Sequence, residues 1–160
     1  MFPGLTRGLV LADSDEHTED GHLTEDLSVR KQMVEKRLRK NALLLERVLP
    51  PERIGPTHPD LLLVTWGPSR GAALEAAETL SARGRATGVL HFSQVWPLVP
   101  DQFLPFLEGA GEVVAVEGNA AGQFARLLRR ETGFRVRRQI LRFDGWPITP
   151  EYILRELEVL

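Results

Sequence analysis

The stretch Leu61 to Gly84, LLLVTWGPSRGAALEAAETLSARG, decides the fold. Leu61 to Thr65 is an unbroken apolar and β-branched run, the composition of a strand buried on both faces. Trp66-Gly67-Pro68 breaks the run, and Ala73, Ala76, Ala77 and Leu80 then recur on one face of a helix that stops at Gly84. In open α/β sheets such a turn lies at the carboxyl edge of the strand, where backbone N–H groups at the helix start meet an anion or a partner. Ser69 is read as the residue that caps this helix.

Downstream, the same alternation repeats. Thr87 to Phe92 reads as a second strand, and Asp101 to Leu107 as a helix that Pro105 keeps short or bent. Glu112 to Glu117, EVVAVE, is a third, nearly continuous apolar strand. It passes through Gly118-Asn119 into a helix with Phe124, Leu127 and Leu128 inward and Arg126, Arg129 and Arg130 outward, ending at Gly133. A fourth strand lies near Gln139-Ile140-Leu141. Thr149-Pro150 then caps and opens a last helix to Leu160. Strand and helix alternate throughout, which predicts an α/β protein with a mainly parallel sheet.

Upstream, Leu9-Val10-Leu11 is a short strand signal. Asp13 to Asp26, DSDEHTEDGHLTED, holds seven acids and two histidines without a base. His17 and His22 are suitable metal ligands, but their spacing fits no known site, so the segment reads as a solvated acidic loop and no metal is expected. Asp26 is an N-cap for a basic amphipathic helix from Leu27 to Leu49, with Val34, Leu38, Ala42, Leu45 and Leu49 along one stripe. That helix is expected to pair with the acidic loop or with a partner surface. Pro50-Pro51 ends it, and Pro56 through Pro59 makes a linker into the main domain. The division expected is therefore an N-terminal arm over 1–59 and an α/β domain over 60–160.

Composition narrows the function. A length of 160 residues suits one core with an appendage, and a net charge of −2 argues against a general nucleic-acid binder. No apolar run is long enough to span a membrane and the N-terminus lacks a signal-peptide layout, so a cytoplasmic location is expected. Cysteine is absent, which excludes disulfides, a cysteine nucleophile and cysteine-ligated clusters on this chain. The turn after the first strand is neither the dinucleotide G-x-G-x-x-G nor a Walker loop, and Ser69 stands in no nucleophile elbow. His91 reads as a satisfied core or edge histidine.

The chain as a whole resembles a known family. The acidic segment with EH-x-x-x-G-H, then RKQMVEKRLRK, LLLVTWGPSRGAALEAAE, VLHFSQVWPL, VVAVEGNAAGQFARLLRRETG and FDGWPITPEYI look like the C-terminal part of the alpha subunit of 2-oxoacid:ferredoxin oxidoreductases, the 2-oxoglutarate type in particular. The resemblance implies a transketolase C-terminal-like domain: a three-layer α/β/α fold with a five-stranded, mostly parallel mixed sheet. Gly8 to Ala12 would supply its antiparallel strand. For the full complex it implies thiamine diphosphate, magnesium, iron–sulfur clusters and coenzyme A. It also implies a beta subunit and other alpha-subunit domains as partners, with ferredoxin engaged indirectly and an oligomeric enzyme. The cofactor-activating glutamate, the diphosphate-binding motif and the cluster cysteines are not in this sequence, so the chain alone is expected to bind no cofactor and to be inactive. Pro68 stands where the family tends to have a small polar residue, and a proline donates no N–H.

Two function classes follow: a non-catalytic assembly domain of such an oxidoreductase, or a free-standing small-molecule or phosphate binder on the same fold. The strand order implied by the resemblance sets Leu61 to Thr65 between the second and third strands and creates a switch point at the carboxyl edge. Trp66, Glu117, Asn119 and Gln123 gather there as candidates for one subunit-contact patch, the plain reading of Trp66 being a plug for the domain's own core.

Overall fold

The computed structural model describes residues 15–158 and divides the chain into two compact units, Met1–Glu46 and Arg47–Leu160. In the first, Asp26 caps the helix α1 (Leu27–Leu45), its carboxylate accepting from the Ser28 and Val29 amides at 2.7 and 3.4 Å. The helix stops four residues short of Leu49, and none of its residues is buried. The preceding acidic segment closes on itself through a bridge between His17 and Leu23. Glu16 takes Arg37 in a two-pronged ion pair at 2.7 and 3.1 Å, and Glu19 takes Lys36 at 3.0 Å. Hydrogen bonding from those bases holds both carboxyls below the usual glutamate range.

The second unit is a five-stranded sheet with strands β1 (Glu52–Ile54), β2 (Leu61–Trp66), β3 (Thr87–Phe92), β4 (Glu112–Glu117) and β5 (Arg138–Leu141), in the order β1-β3-β2-β4-β5. All neighbours run parallel except β1, which pairs antiparallel with β3. Among the described residues the antiparallel strand is Glu52–Ile54, and Gly8 to Ala12, expected to supply one, lie outside the described residues. Strand β1 sits between Pro51 and Pro56, inside the arm expected over 1–59, so the sheet begins before residue 60. Three residues between Pro51 and Gly55 are too few to show a strand period, and an edge position tolerates the flanking prolines.

Alternation along β2 divides the core in two. Leu61 and Leu63 face α2 (Arg70–Ala82) and α5 (Pro150–Glu158), meeting Ala73, Ala76, Leu80, Ile153 and Leu157. Leu62 and Val64 face α3 (Leu104–Glu108) and α4 (Gln123–Thr132), meeting Phe103, Leu107, Phe124 and Leu128. Phe92 joins that layer edge-on to Phe103 and Phe124, with ring centroids 5.2 and 4.8 Å apart. Helices thus cover both faces, as a buried parallel sheet requires.

The helix ends follow from local chemistry. Gly84, at φ +91°, lets Arg85 N–H reach the Leu80 carbonyl and Gly84 N–H the Ser81 carbonyl, both at 3.0 Å, closing α2 in a Schellman turn. Thr149 Oγ1 accepts from Tyr152 N–H at 3.2 Å, with Pro150 as the first residue of α5. Ser69 does not cap α2 through its side chain. The turn Gly67–Ser69 is already a 3-10 helix, so Ser69 has helical dihedrals in place of the extended ones a side-chain N-cap adopts.

Candidate functional site

Because β2 lies between β3 and β4, and the crossovers through α2 and α4 cover opposite faces, the chain switches direction at the carboxyl edge beside β2. The four residues singled out from sequence lie at this edge, but the structure spends them differently.

Glu117, the last residue of β4, is 1% exposed. Its carboxylate accepts from the Phe124 and Ala125 amides at 2.8 and 2.9 Å and from Asn119 Nδ2 at 2.8 Å. It therefore satisfies the first turn of α4, where the helix dipole favours a negative charge. The loop can fold back this way because Gly122, just before α4, sits at φ +59°, and a side chain there would collide with Gln139. Asn119 is half-buried, and its Oδ1 accepts from the Ala121 and Gln123 amides at 3.1 and 3.2 Å. Glu117 and Asn119 thus form an internal brace. Trp66 is half-buried against the aromatic layer, with its indole Nε1 enclosed and unpartnered among the described residues. Gln123 is exposed.

The outward surface at this edge comes from the loop after β5, whose FDGW sequence is part of the resemblance but not among the expected site residues. Arg142 Nε pairs with Asp144 at 3.0 Å, its guanidinium donates to the Pro147 carbonyl at 2.8 Å, and it stacks on Tyr152 at 4.6 Å. The loop held in this way presents Phe143 and Trp146, each 72% exposed. With Pro68, Ser69 and Gly118, they border a cleft of about 470 Å³.

A second group lies at the β1 and β3 end of the same edge. Arg70 pairs with Glu52 through two hydrogen bonds of 2.8 Å, and Glu52 lies opposite His91 in the sheet register. His91 is buried, and its Nδ1 meets no partner among the described residues, so it is not the satisfied histidine expected. Burial, and then the Arg70 charge, push its pKa below the ordinary value of 6.5. Among the described residues, no group of three His, Cys, Asp or Glu side chains is placed to hold a metal ion.

Residues 53–158 match the family described as transketolase, C-terminal domain. The chain belongs to that family, and its five-stranded mixed sheet between helical layers is the family's fold. Within it, the resemblance to the C-terminal part of 2-oxoacid:ferredoxin oxidoreductase alpha subunits holds. The chain is 36% identical over 140 residues to subunit alpha of 2-oxoacid:ferredoxin oxidoreductase 1 from Aeropyrum pernix, covering 84% of this chain and 22% of that one. It is 30% identical over 151 residues to the alpha subunit of the Saccharolobus solfataricus enzyme, covering 92% of this chain and 24% of the relative. Among solved structures it is similar to 2-oxoglutarate:ferredoxin oxidoreductase from Magnetococcus marinus, determined with 2-oxoglutarate, coenzyme A and succinyl-CoA bound. That match has a TM-score of 0.71 and 26% identity over 98% of this chain and 27% of that one. The chain thus spans about a quarter of the length of these relatives. No helix among the described residues is long and apolar enough to cross a membrane.

Proposed function

We propose that this chain is a non-catalytic assembly domain of the alpha subunit of a thiamine-diphosphate-dependent 2-oxoacid:ferredoxin oxidoreductase, with 2-oxoglutarate as the substrate. Its carboxyl edge packs against the beta subunit or another alpha-subunit domain, with Trp66 and Gln123 at the rim. The observation that carries this reading is the pair Phe143 and Trp146, held 72% exposed on a loop braced by Arg142. A domain with closed cores on both sheet faces has no internal use for two large exposed aromatics, and such side chains are what interface cores are made of. Glu117 and Asn119 serve the patch from beneath by holding the loop into α4.

The residues at the carboxyl edge fit neither an iron–sulfur cluster nor a carboxylate free to activate thiamine. There is no cysteine for a cluster, and both oxygens of Glu117, the buried carboxylate at the switch point, are taken by protein donors. Thiamine diphosphate, magnesium, iron–sulfur clusters and coenzyme A belong to other domains or chains of the complex in this reading, and ferredoxin meets the complex elsewhere. The cytoplasm is the proposed location.

Two measurements test it. Pure chain should melt cooperatively and show no turnover with a 2-oxo acid, coenzyme A, thiamine diphosphate and an electron acceptor. In the assembled enzyme, the double change Phe143→Ser and Trp146→Ala should weaken subunit association by at least about tenfold, the loss of one or two anchoring aromatics. The chain's own melting temperature should stay unchanged. Turnover by pure chain, or unaltered assembly of the variant, contradicts the proposal.

A further inference from the structure

The arginines of this chain are distributed in a way that assembly through the carboxyl edge does not explain. Eight of them, Arg37, Arg70, Arg83, Arg85, Arg130, Arg138, Arg142 and Arg155, each pair with a carboxylate. Four others are gathered instead around one concavity of about 200 Å³: Arg126 and Arg129 on α4, and Arg135 and Arg137 on the segment leading into β5. The rest of its lining is Ala125, Val136 and Gln139, so no acidic side chain contributes to it. None of the four has an ion pair among the described residues.

Local structure accounts for the placement. Arg126 and Arg129 are three residues apart and share one face of α4. Val136 is buried in the α4 side of the core, so the extended residues on either side of it, Arg135 and Arg137, turn outward together. The helix dipole gives a reason for Arg129 in the last turn of α4, but none for Arg126, Arg135 or Arg137. Like charges brought together at one cavity repel, and a bound polyanion converts that repulsion into charge-assisted hydrogen bonds.

We infer that the concavity formed by Arg126, Arg129, Arg135 and Arg137 binds the phosphate groups of a soluble phosphorylated small molecule. Guanidinium forks converging on a small hollow suit a compact tetrahedral anion with several oxygens. A nucleic-acid backbone or an acidic protein face would be met by an extended basic track, whereas these four arginines line one small hollow. Arg135 and Arg137 also border a larger cavity of about 660 Å³, where Leu107, Val113 and Phe134 stand beside Glu108, Glu112 and Arg138, which gives the remainder of such a molecule a mixed polar and apolar place to lie. The inference does not depend on the assembly reading, since it concerns a different part of the surface.

The test is calorimetric titration of the 160-residue chain with inorganic pyrophosphate at low ionic strength, repeated with chloride at matched ionic strength. Saturable one-to-one binding of pyrophosphate is expected, absent with chloride. It should weaken by about tenfold or more in the double variant Arg129→Ala and Arg135→Ala, whose exposed positions leave the melting temperature in place. The pair Arg126→Gln and Arg137→Gln provides a second variant, and Arg83→Ala, away from the hollow, should bind as the unaltered chain does. Absence of saturable binding, or binding by both double variants as tight as by the unaltered chain, overturns the inference. So does tighter binding to poly-glutamate, to single-stranded nucleic acid or to phosphatidic acid vesicles than to pyrophosphate.

Discussion

Helices α1 and α4 both carry apolar residues at helical spacing, yet α4 buries Phe124, Ala125 and Leu128 within ten residues, while α1 buries none in nineteen. Leu38, Leu43 and Leu44 on α1 are 65, 61 and 52% exposed. The difference lies in what each helix has to pack on. Helix α4 joins two neighbouring strands and must return across the sheet, so the chain itself supplies its partner. The unit that holds α1 contains no sheet among its described residues, and α1 is held there by Asp26 at its start and by pairs to Glu16 and Glu19. Periodicity tells which face of a helix is apolar, and topology decides whether the chain covers it.

The largest expected effect separates these two regions by truncation. Leu63→Ala, in a fully buried position of the central strand, should cost about 3 kcal/mol or more through lost transfer energy and a cavity. Leu38→Ala should stay within about 0.5 kcal/mol, both read from denaturant melts of the chain. Equal costs would mean that α1 is packed as the sheet is. Next in size is Glu117→Ala, which leaves the first turn of α4 without its acceptor and should cost about 2–3 kcal/mol. Glu117→Gln should recover only part of this, because its amide turns a donor toward amides that also donate.

Much of the sheet unit was legible in the sequence because its signals are local. Leu61 to Thr65 and Glu112 to Glu117 announced themselves as doubly buried strands, and Gly84, Gly133 and Thr149 marked helix ends that the structure uses. Strand β1 was not legible, since three residues carry no period and the antiparallel pairing with β3 is decided at long range. At the candidate site, Glu117 and Asn119 were placed at the right edge but not in their internal role, because whether a carboxylate turns outward or onto the next helix depends on Gly122 and the loop path. The Arg142 brace and the arginine hollow join residues through folded geometry and leave no pattern along the chain.

A smaller effect should appear with pH. His91 has its pKa pushed below 6.5 by burial, so the unfolded chain binds a proton more readily than the folded one. Its contribution to stability is complete above about 6.5 and is lost as pH falls toward the depressed folded value. Glu52, held low by its hydrogen bonds from Arg70, is lost only below its ordinary value of 4.5. The melting temperature should therefore fall between about pH 7.5 and about pH 5.5, and His91→Gln should flatten that slope. An unchanged slope in the variant would place the titration elsewhere.

Amide hydrogen exchange, compared between the chain alone and the assembled oxidoreductase, tests most directly whether the sheet unit is self-sufficient and the arm is completed by a partner. Alone, β2, β3 and β4 should exchange slowly and α1 fast, because strands enclosed on both faces open only with the whole unit. In the assembled enzyme, α1 should gain strong protection while the strands change little. Protection of α1 equal to that of β2 in the chain alone, or fast exchange of α1 that persists in the assembly, would contradict the account.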